Sequence, residues 1–99
     1  MKVLWTEPAE DELKAVFEYV TESSGSQRRA RKLIEDLLIQ TRRIGTFPRS
    51  GRIVPEYQDE TIREIIVAPY RVIYRIQKSH VEVLSVVHSA KLLPHQLTE

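Results

Sequence analysis

The sequence contains no cysteine, which excludes a disulfide framework and any thiolate metal site. Its three histidines, His80, His88 and His95, show no recurrent ligand spacing, so no zinc motif is present and no metal or other cofactor is expected. No N-terminal apolar run has the character of a signal peptide or a membrane span, which predicts a cytoplasmic protein with no membrane contact. A charge surplus is also missing. Fifteen Lys and Arg against fourteen Asp and Glu leave a formal net charge of +1. The whole molecule is therefore not a generic polyanion binder, and any nucleic-acid contact must come from a local basic patch. No internal repeat, low-complexity tract or long linker divides the 99 residues, and a hydrophobic content of 41% suffices for one core. Residues 1–99 are expected to form a single domain.

What is present is organised around two runs dense in β-branched and aromatic residues, Tyr70–Ile76 and Val81–His88. Gln77-Lys78-Ser79-His80 between them is a hairpin loop. If Ile76 faces Val81, alternation places Tyr70, Val72, Tyr74 and Ile76 on one face with Val81, Val83, Ser85 and Val87. That face is nearly all apolar and should lie under helices. The opposite face combines Arg71, Ile73 and Arg75 with Glu82, Leu84, Val86 and His88, so that Arg75 meets Glu82 while Arg71 and His88 approach diagonally. Function is expected on this mixed face. Arg71 lies there outside the apolar core, and its removal should weaken function without unfolding the chain.

The first half reads as helical. Lys2–Trp5 is a short strand. Thr6 caps a helix that has Glu7-Pro8 in its first turn, followed by Glu10, Asp11 and Glu12 at the positive end of the helix dipole. Ala9, Leu13, Val16, Phe17 and Val20 form its apolar stripe. Ser23-Ser24-Gly25-Ser26 ends this helix and caps a second, which runs to about Ile44. Ala30, Leu33, Ile34, Leu37, Leu38 and Thr41 face inward, and Gly45 closes it. The two form a helical hairpin able to cover one side of a small sheet. Four cations, Arg28, Arg29, Arg31 and Lys32, crowd the start of the second helix, where the dipole disfavours each by roughly 0.3–1 kcal/mol. They either pair with Glu35 and Asp36 at i,i+4 on a solvated face or anchor an acidic partner or nucleic acid.

Between helix and sheet, Pro48 ends helical geometry, Gly51 provides a turn, and Arg52-Ile53-Val54 reads as an edge strand cut short by Pro55. Thr61–Ala68 is a further strand, joined to the next by a tight turn at Pro69. Ser89–Leu93 could form one amphipathic turn before Pro94. Two helices followed by antiparallel strands indicate an α+β layer fold.

Taken in order, these pieces resemble the RelE/ParE toxin superfamily of bacterial toxin–antitoxin systems. The resemblance is carried by Trp5-Thr6 with the Ala9/Leu13/Tyr19 helix, by Phe47-Pro48 through Gly51-Arg52, and by Arg63-Glu64. It continues in Tyr70-Arg71-Val72-Ile73-Tyr74 and in Val83–His88. It implies an α+β fold with a short N-terminal strand and a helical hairpin packed on a small antiparallel sheet, and a cognate antitoxin, ParD-like or other, as partner. RelE-like members cut messenger RNA on the ribosome. Cleavage through the 2′-OH needs a base, cations for the phosphorane and an acid for the leaving oxygen. Arg71 matches an arginine such enzymes place at the scissile phosphate, and a ribonuclease reading would add His88 and Lys91. The basic pair expected on the preceding strand falls instead at Ile62 and Glu64, the arginine expected after the last strand falls at Ala90, and no tyrosine follows His88. ParE-like members bind and poison DNA gyrase without a hydrolytic centre of their own. The Phe47-Pro48…Gly51-Arg52 loop and Arg63-Glu64 are similar to that branch, which the resemblance favours. A member that retains only antitoxin binding is the third reading.

The surfaces implied for target or antitoxin are Arg52, Arg63, Arg71, Arg75 and His88 on the sheet, with Leu37 and Leu38 on the second helix. Val16, Val20 and Leu37–Ile44 offer more apolar surface than one sheet face covers, leaving a groove suited to an amphipathic helix. Each residue also has a purely structural role open to it. Arg71 and Arg75 can keep a sheet face soluble, His88 can be a hydrogen-bonded packing residue, and Tyr70, Tyr74 and Trp5 can be core aromatics with a wet tip.

Overall fold

The computed structural model describes residues 1–91 and Leu93. Its elements are β1 (Lys2–Trp5), α1 (Glu7–Ser24), α2 (Gln27–Thr46), a 3-10 turn at Pro48–Ser50, β2 (Arg52–Ile53), β3 (Ile62–Val67), β4 (Tyr70–Ile76) and β5 (His80–His88). The strands form one sheet in the order β1-β5-β4-β3-β2. All neighbours are antiparallel except β1, which runs parallel to β5. The expected antiparallel sheet is thus formed by β2–β5, and the short N-terminal strand joins it in parallel at one edge, which makes the whole sheet mixed. Among the described residues, no helix is long and apolar enough to cross a membrane.

Thr6 connects the two layers. Its hydroxyl accepts from the Ala9 amide to cap α1 and donates to the Val83 carbonyl at 3.0 Å, while its own amide donates to the same carbonyl. Gly25 ends α1 in the left-handed region, at φ 70°, where a residue without Cβ is unstrained. The Ser26 hydroxyl then caps α2 through the Arg29 amide. Helix α2 continues past the expected Gly45 stop to Thr46. Gly45 is needed there for space. A Cβ would lie 2.5 Å from the Met1 carbonyl oxygen and 2.9 Å from Val3, so β1 can only lie this close to a glycine.

The hairpin buries Ala9, Val16, Leu37 and Ile44 against Tyr70, Val72, Tyr74, Val81, Val83 and Val86 of the sheet. The register starts as expected, with Ile76 opposite Val81 and Arg75 opposite Glu82. A bulge then intervenes, because Tyr74 pairs with Val83 but Ile73 pairs with Ser85, which leaves Leu84 as an extra residue. From Val86 onward the β5 side chains change face. Val86 enters the helix-side core and His88 comes opposite Tyr70, so the expected approach of His88 to Arg71 does not occur. Glu12 of α1 holds the bulge, its Oε1 accepting from the Ser85 hydroxyl at 2.9 Å and the Val86 amide at 3.0 Å.

The other face of the sheet is covered as well. Val54, Ile62 and Ile73 form a second buried cluster, flanked by Tyr57 and Leu93. The loop after β2 and Leu93 therefore lie over what the alternation pattern presents as an open, mixed surface. Of the amphipathic turn expected at Ser89–Leu93, Ser89 and Ala90 do turn, and Leu92 lies outside the described residues.

Candidate functional site

Arg71, the second residue of β4, points away from the helices into a set of charges drawn from three places. Its Nε donates to Glu64 Oε1 on β3 at 2.6 Å. Its two terminal nitrogens grip both oxygens of Glu56, from the loop after β2, at 2.9 Å each. One of them also donates to the Lys91 carbonyl at 3.4 Å. The second oxygen of Glu64 accepts from Arg52 Nε, its cross-strand partner on β2. Arg52, Glu64, Arg71 and Glu56 thus alternate in sign. Arg71 is only 5% exposed and Glu64 only 1%, so the expectation of a removable surface arginine is corrected. The Glu56 carboxylate in fork geometry and the Glu64 carboxylate on Nε make this burial tolerable, since a desolvated guanidinium needs both charge compensation and hydrogen-bond partners.

The hydrogen bonds to Arg71 hold the Glu56 carboxyl at about 2, below its ordinary 4.5 and against the opposing effect of burial. Glu56 in turn raises the Arg71 guanidinium above its already high value, with burial again opposing. A carboxyl whose folded value is depressed adds stability above its unfolded value, and that stability is lost as pH falls through the folded one. The chain should therefore lose stability progressively between about pH 4.5 and about pH 2. Glu56→Gln should be less stable at neutral pH and show a flatter acid limb. Urea denaturation at a series of pH values measures both, and an unchanged acid limb in the variant would contradict the assignment.

This geometry sets what Arg71 can do chemically. Four hydrogen bonds draw on its five N–H donors, and two carboxylates face it. A phosphate approaching would meet negative charge where a nuclease needs free cations. His88 lies on the helix side, its ring edge-on to Tyr70 with centroids 5.7 Å apart, and its Nδ1 accepts from the Ala90 amide at 3.2 Å. His88 and Lys91 both line a cleft of about 430 Å³ with Glu12, Tyr19 and Tyr70. Arg71, His88 and Lys91, the three side chains a ribonuclease reading would unite, do not converge.

The remaining expected residues fall into two groups. Arg63 braces the loop from the 3-10 turn, donating to the Glu60 and Gly51 carbonyls at 3.0 Å and to the Arg49 carbonyl at 3.4 Å. Arg75 is half-buried and faces Glu82 in register. Leu37 has no exposed surface, so it belongs to the core and cannot line a groove; Leu38 is 37% exposed. Leu38 does line a groove, with Trp5, Glu10, Leu13 and Lys14, of about 280 Å³. Leu13 and Lys14 continue it into a second hollow of about 290 Å³ with Phe17, Glu18 and Ile34. The apolar seam between the helices is therefore real, one helical position away from where Leu37 would put it.

Residue-by-residue reading missed Glu56, Glu64 and the link at Gly51. The Gly51 amide donates to the Tyr74 hydroxyl at 3.0 Å, and that hydroxyl donates to the Pro48 carbonyl at 2.6 Å. Gly51 has an extended backbone (φ −77°, ψ 157°), so no unusual turn requires glycine here. A Cβ would meet the Tyr74 hydroxyl at 2.5 Å and the Glu64 carbonyl oxygen at 2.6 Å. The available signal for Glu64 was its place as a lone charge between Ile62 and Ile66 on one strand face.

Helical hairpin, bulged mixed sheet and neutralised arginine together define a small α+β protein whose open features are the seam between the helices and the cleft beside His88. The sequence matches, over residues 3–93, the family described as ParE toxin of type II toxin-antitoxin system, parDE. The chain belongs to that family. A solved structure described as the chromosomal ParDE TA system from P. aeruginosa contains a similar chain. It is 19% identical, with a TM-score of 0.75 over 89% of this chain and 95% of that one, and the likeness shows the shared fold. No curated protein matches the sequence.

Proposed function

We propose that this chain, acting as one domain in the cytoplasm, is a toxin that inhibits DNA gyrase by binding and is neutralised by a cognate ParD-like antitoxin. The observation that carries the choice of target is the state of Arg71, held between Glu56 and Glu64 instead of facing an incoming phosphate. A RelE-like cut in messenger RNA on the ribosome would need that charge free, with His88 and Lys91 beside it. Membership of the ParE family supports the same reading. Inducing the chain and following DNA damage response and translation separately tests it. Early damage signalling with filamentation is the expected result. Immediate translation arrest with cleaved messages would overturn it.

The antitoxin is assigned to the seam lined by Leu13, Phe17, Ile34 and Leu38. A segment disordered alone and folding there would bury apolar surface and give a negative heat-capacity change of binding. Leu38→Glu should weaken antitoxin binding at least tenfold with the toxin still folded. Calorimetry at several temperatures measures both effects, and a heat-capacity change near zero would count against the groove.

A further inference from the structure

Between Asp36 and Glu56 the chain has no carboxylate, and the same stretch carries Arg42, Arg43, Arg49 and Arg52. Folding adds Arg63, whose guanidinium donates to the Arg49 and Gly51 carbonyls. The end of α2, the 3-10 turn and the β2–β3 edge thus share one basic corner. The other ten lysines and arginines face all fourteen carboxylates of the chain, so the remainder is acidic and the corner is a local excess. Among the described residues, Arg42, Arg43, Arg49 and Arg63 make no ion pair. Arg52 engages Glu64 through Nε alone, and its side chain is 62% exposed. The negative end of the α2 dipole lies here too, at about half a charge, which these guanidiniums outweigh. Phe47, between Arg43 and Arg49 in the chain, is 60% exposed. Its amide donates to the Arg43 carbonyl and its carbonyl accepts from the Ser50 amide, each at 3.0 Å. Among the described residues no aromatic ring stacks on it.

We propose that this corner binds single-stranded DNA, with a base stacked on Phe47 and the flanking phosphates on Arg43, Arg49 and Arg52. Stacking needs a free aromatic face and tolerates any base, while a guanidinium grips phosphate oxygens in pairs. A duplex keeps its bases stacked on one another and would leave the ring without a partner. An acidic protein segment would satisfy the arginines and equally leave the ring open. The corner is also built before any strand arrives. Arg63 ties down the Arg49 and Gly51 carbonyls, and the Tyr74 hydroxyl holds the Pro48 carbonyl and the Gly51 amide, so little backbone order is lost on binding. About three phosphates neutralised on a single strand give a slope of log affinity against log salt of about −2. The choice of DNA over RNA rests on the gyrase reading, since a toxin at gyrase works beside DNA. The stacking site does not rest on it, and its binding is measured with no gyrase present.

Fluorescence anisotropy of a labelled oligothymidylate of about twelve residues, titrated with the full chain, tests the proposal. Binding on the order of 10 µM is expected at about 0.05 M salt, with the slope given above and a duplex of equal length bound at least about threefold more weakly. Phe47→Ala should weaken binding by about fivefold or more with the salt slope unchanged, and Phe47→Trp should keep it. Arg43→Gln/Arg49→Gln should weaken it by about tenfold or more and flatten the slope by about 1.4. Thermal denaturation checks that each variant is folded. If the double variant unfolds, Arg49→Gln alone replaces it and should flatten the slope by about 0.7. A duplex bound as tightly as the strand would overturn the proposal. So would Phe47→Ala binding like the parent, or no binding at low salt with chain at about 0.1 mM. An oligouridylate of equal length bound more tightly than the thymidine strand would overturn the choice of DNA.

Discussion

Arg71→Ala is expected to destabilise the chain by about 3–5 kcal/mol, the cost of removing one partner from a buried ion pair. Glu64 would keep an inaccessible carboxylate with Arg52 alone beside it, and Arg52 is largely exposed. In a chain of this size each kcal/mol moves the melting temperature by about 4–8 °C, so the fall should exceed about 12 °C. Arg52→Ala removes only the solvated end of the network and should cost under about 1 kcal/mol. Substituting Arg71 and Glu64 together by apolar residues of similar volume should recover much of the loss, since no charge is then left buried alone. Thermal denaturation of the set decides the matter. An Arg71→Ala protein melting within a few degrees of the parent would contradict the network. It follows that loss of toxicity in Arg71→Ala alone is no evidence for catalysis.

Leu37→Ala and Leu38→Ala should separate by a wide margin although the residues are adjacent. Leu37 is fully enclosed by the sheet-side core, and truncation there costs the lost transfer energy plus a cavity, about 2–5 kcal/mol. Leu38 lies partly in solvent at the seam, where truncation should cost under about 1 kcal/mol. Binding should reverse the order, with Leu38 mattering for the antitoxin. Urea denaturation with a shared slope measures the stability difference, and equal losses at both positions would show that the assignment of helix faces is wrong.

The contrast between these leucines shows where sequence reading stops. Periodicity placed both in the apolar stripe of α2, because 100° per residue cannot say which edge of a wide stripe meets the sheet. The caps at Thr6 and Ser26, the stop at Gly25 and the β4–β5 hairpin were legible, since each depends on neighbours in the chain. The Leu84 bulge was not. It depends on Glu12, more than seventy positions away, accepting the Ser85 and Val86 donors, and one extra residue moved His88 to the other face. Arg71 was singled out on the mixed face but given His88 as its neighbour, and the unforeseen bulge is what separates them. Its true partners come from a loop carboxylate at Glu56 and a diagonal contact to Glu64, two strand positions from the residue opposite. Gly45 and Gly51 read as stops and turns, whereas their need arises from how closely Met1 and Tyr74 approach.

Adding the purified chain separately to DNA gyrase in a supercoiling reaction and to ribosomes programmed with messenger RNA distinguishes the two targets most directly. Dose-dependent loss of supercoiling, relieved by the antitoxin, is expected, with messages left intact. Cleaved messages with gyrase unaffected would contradict gyrase as the target.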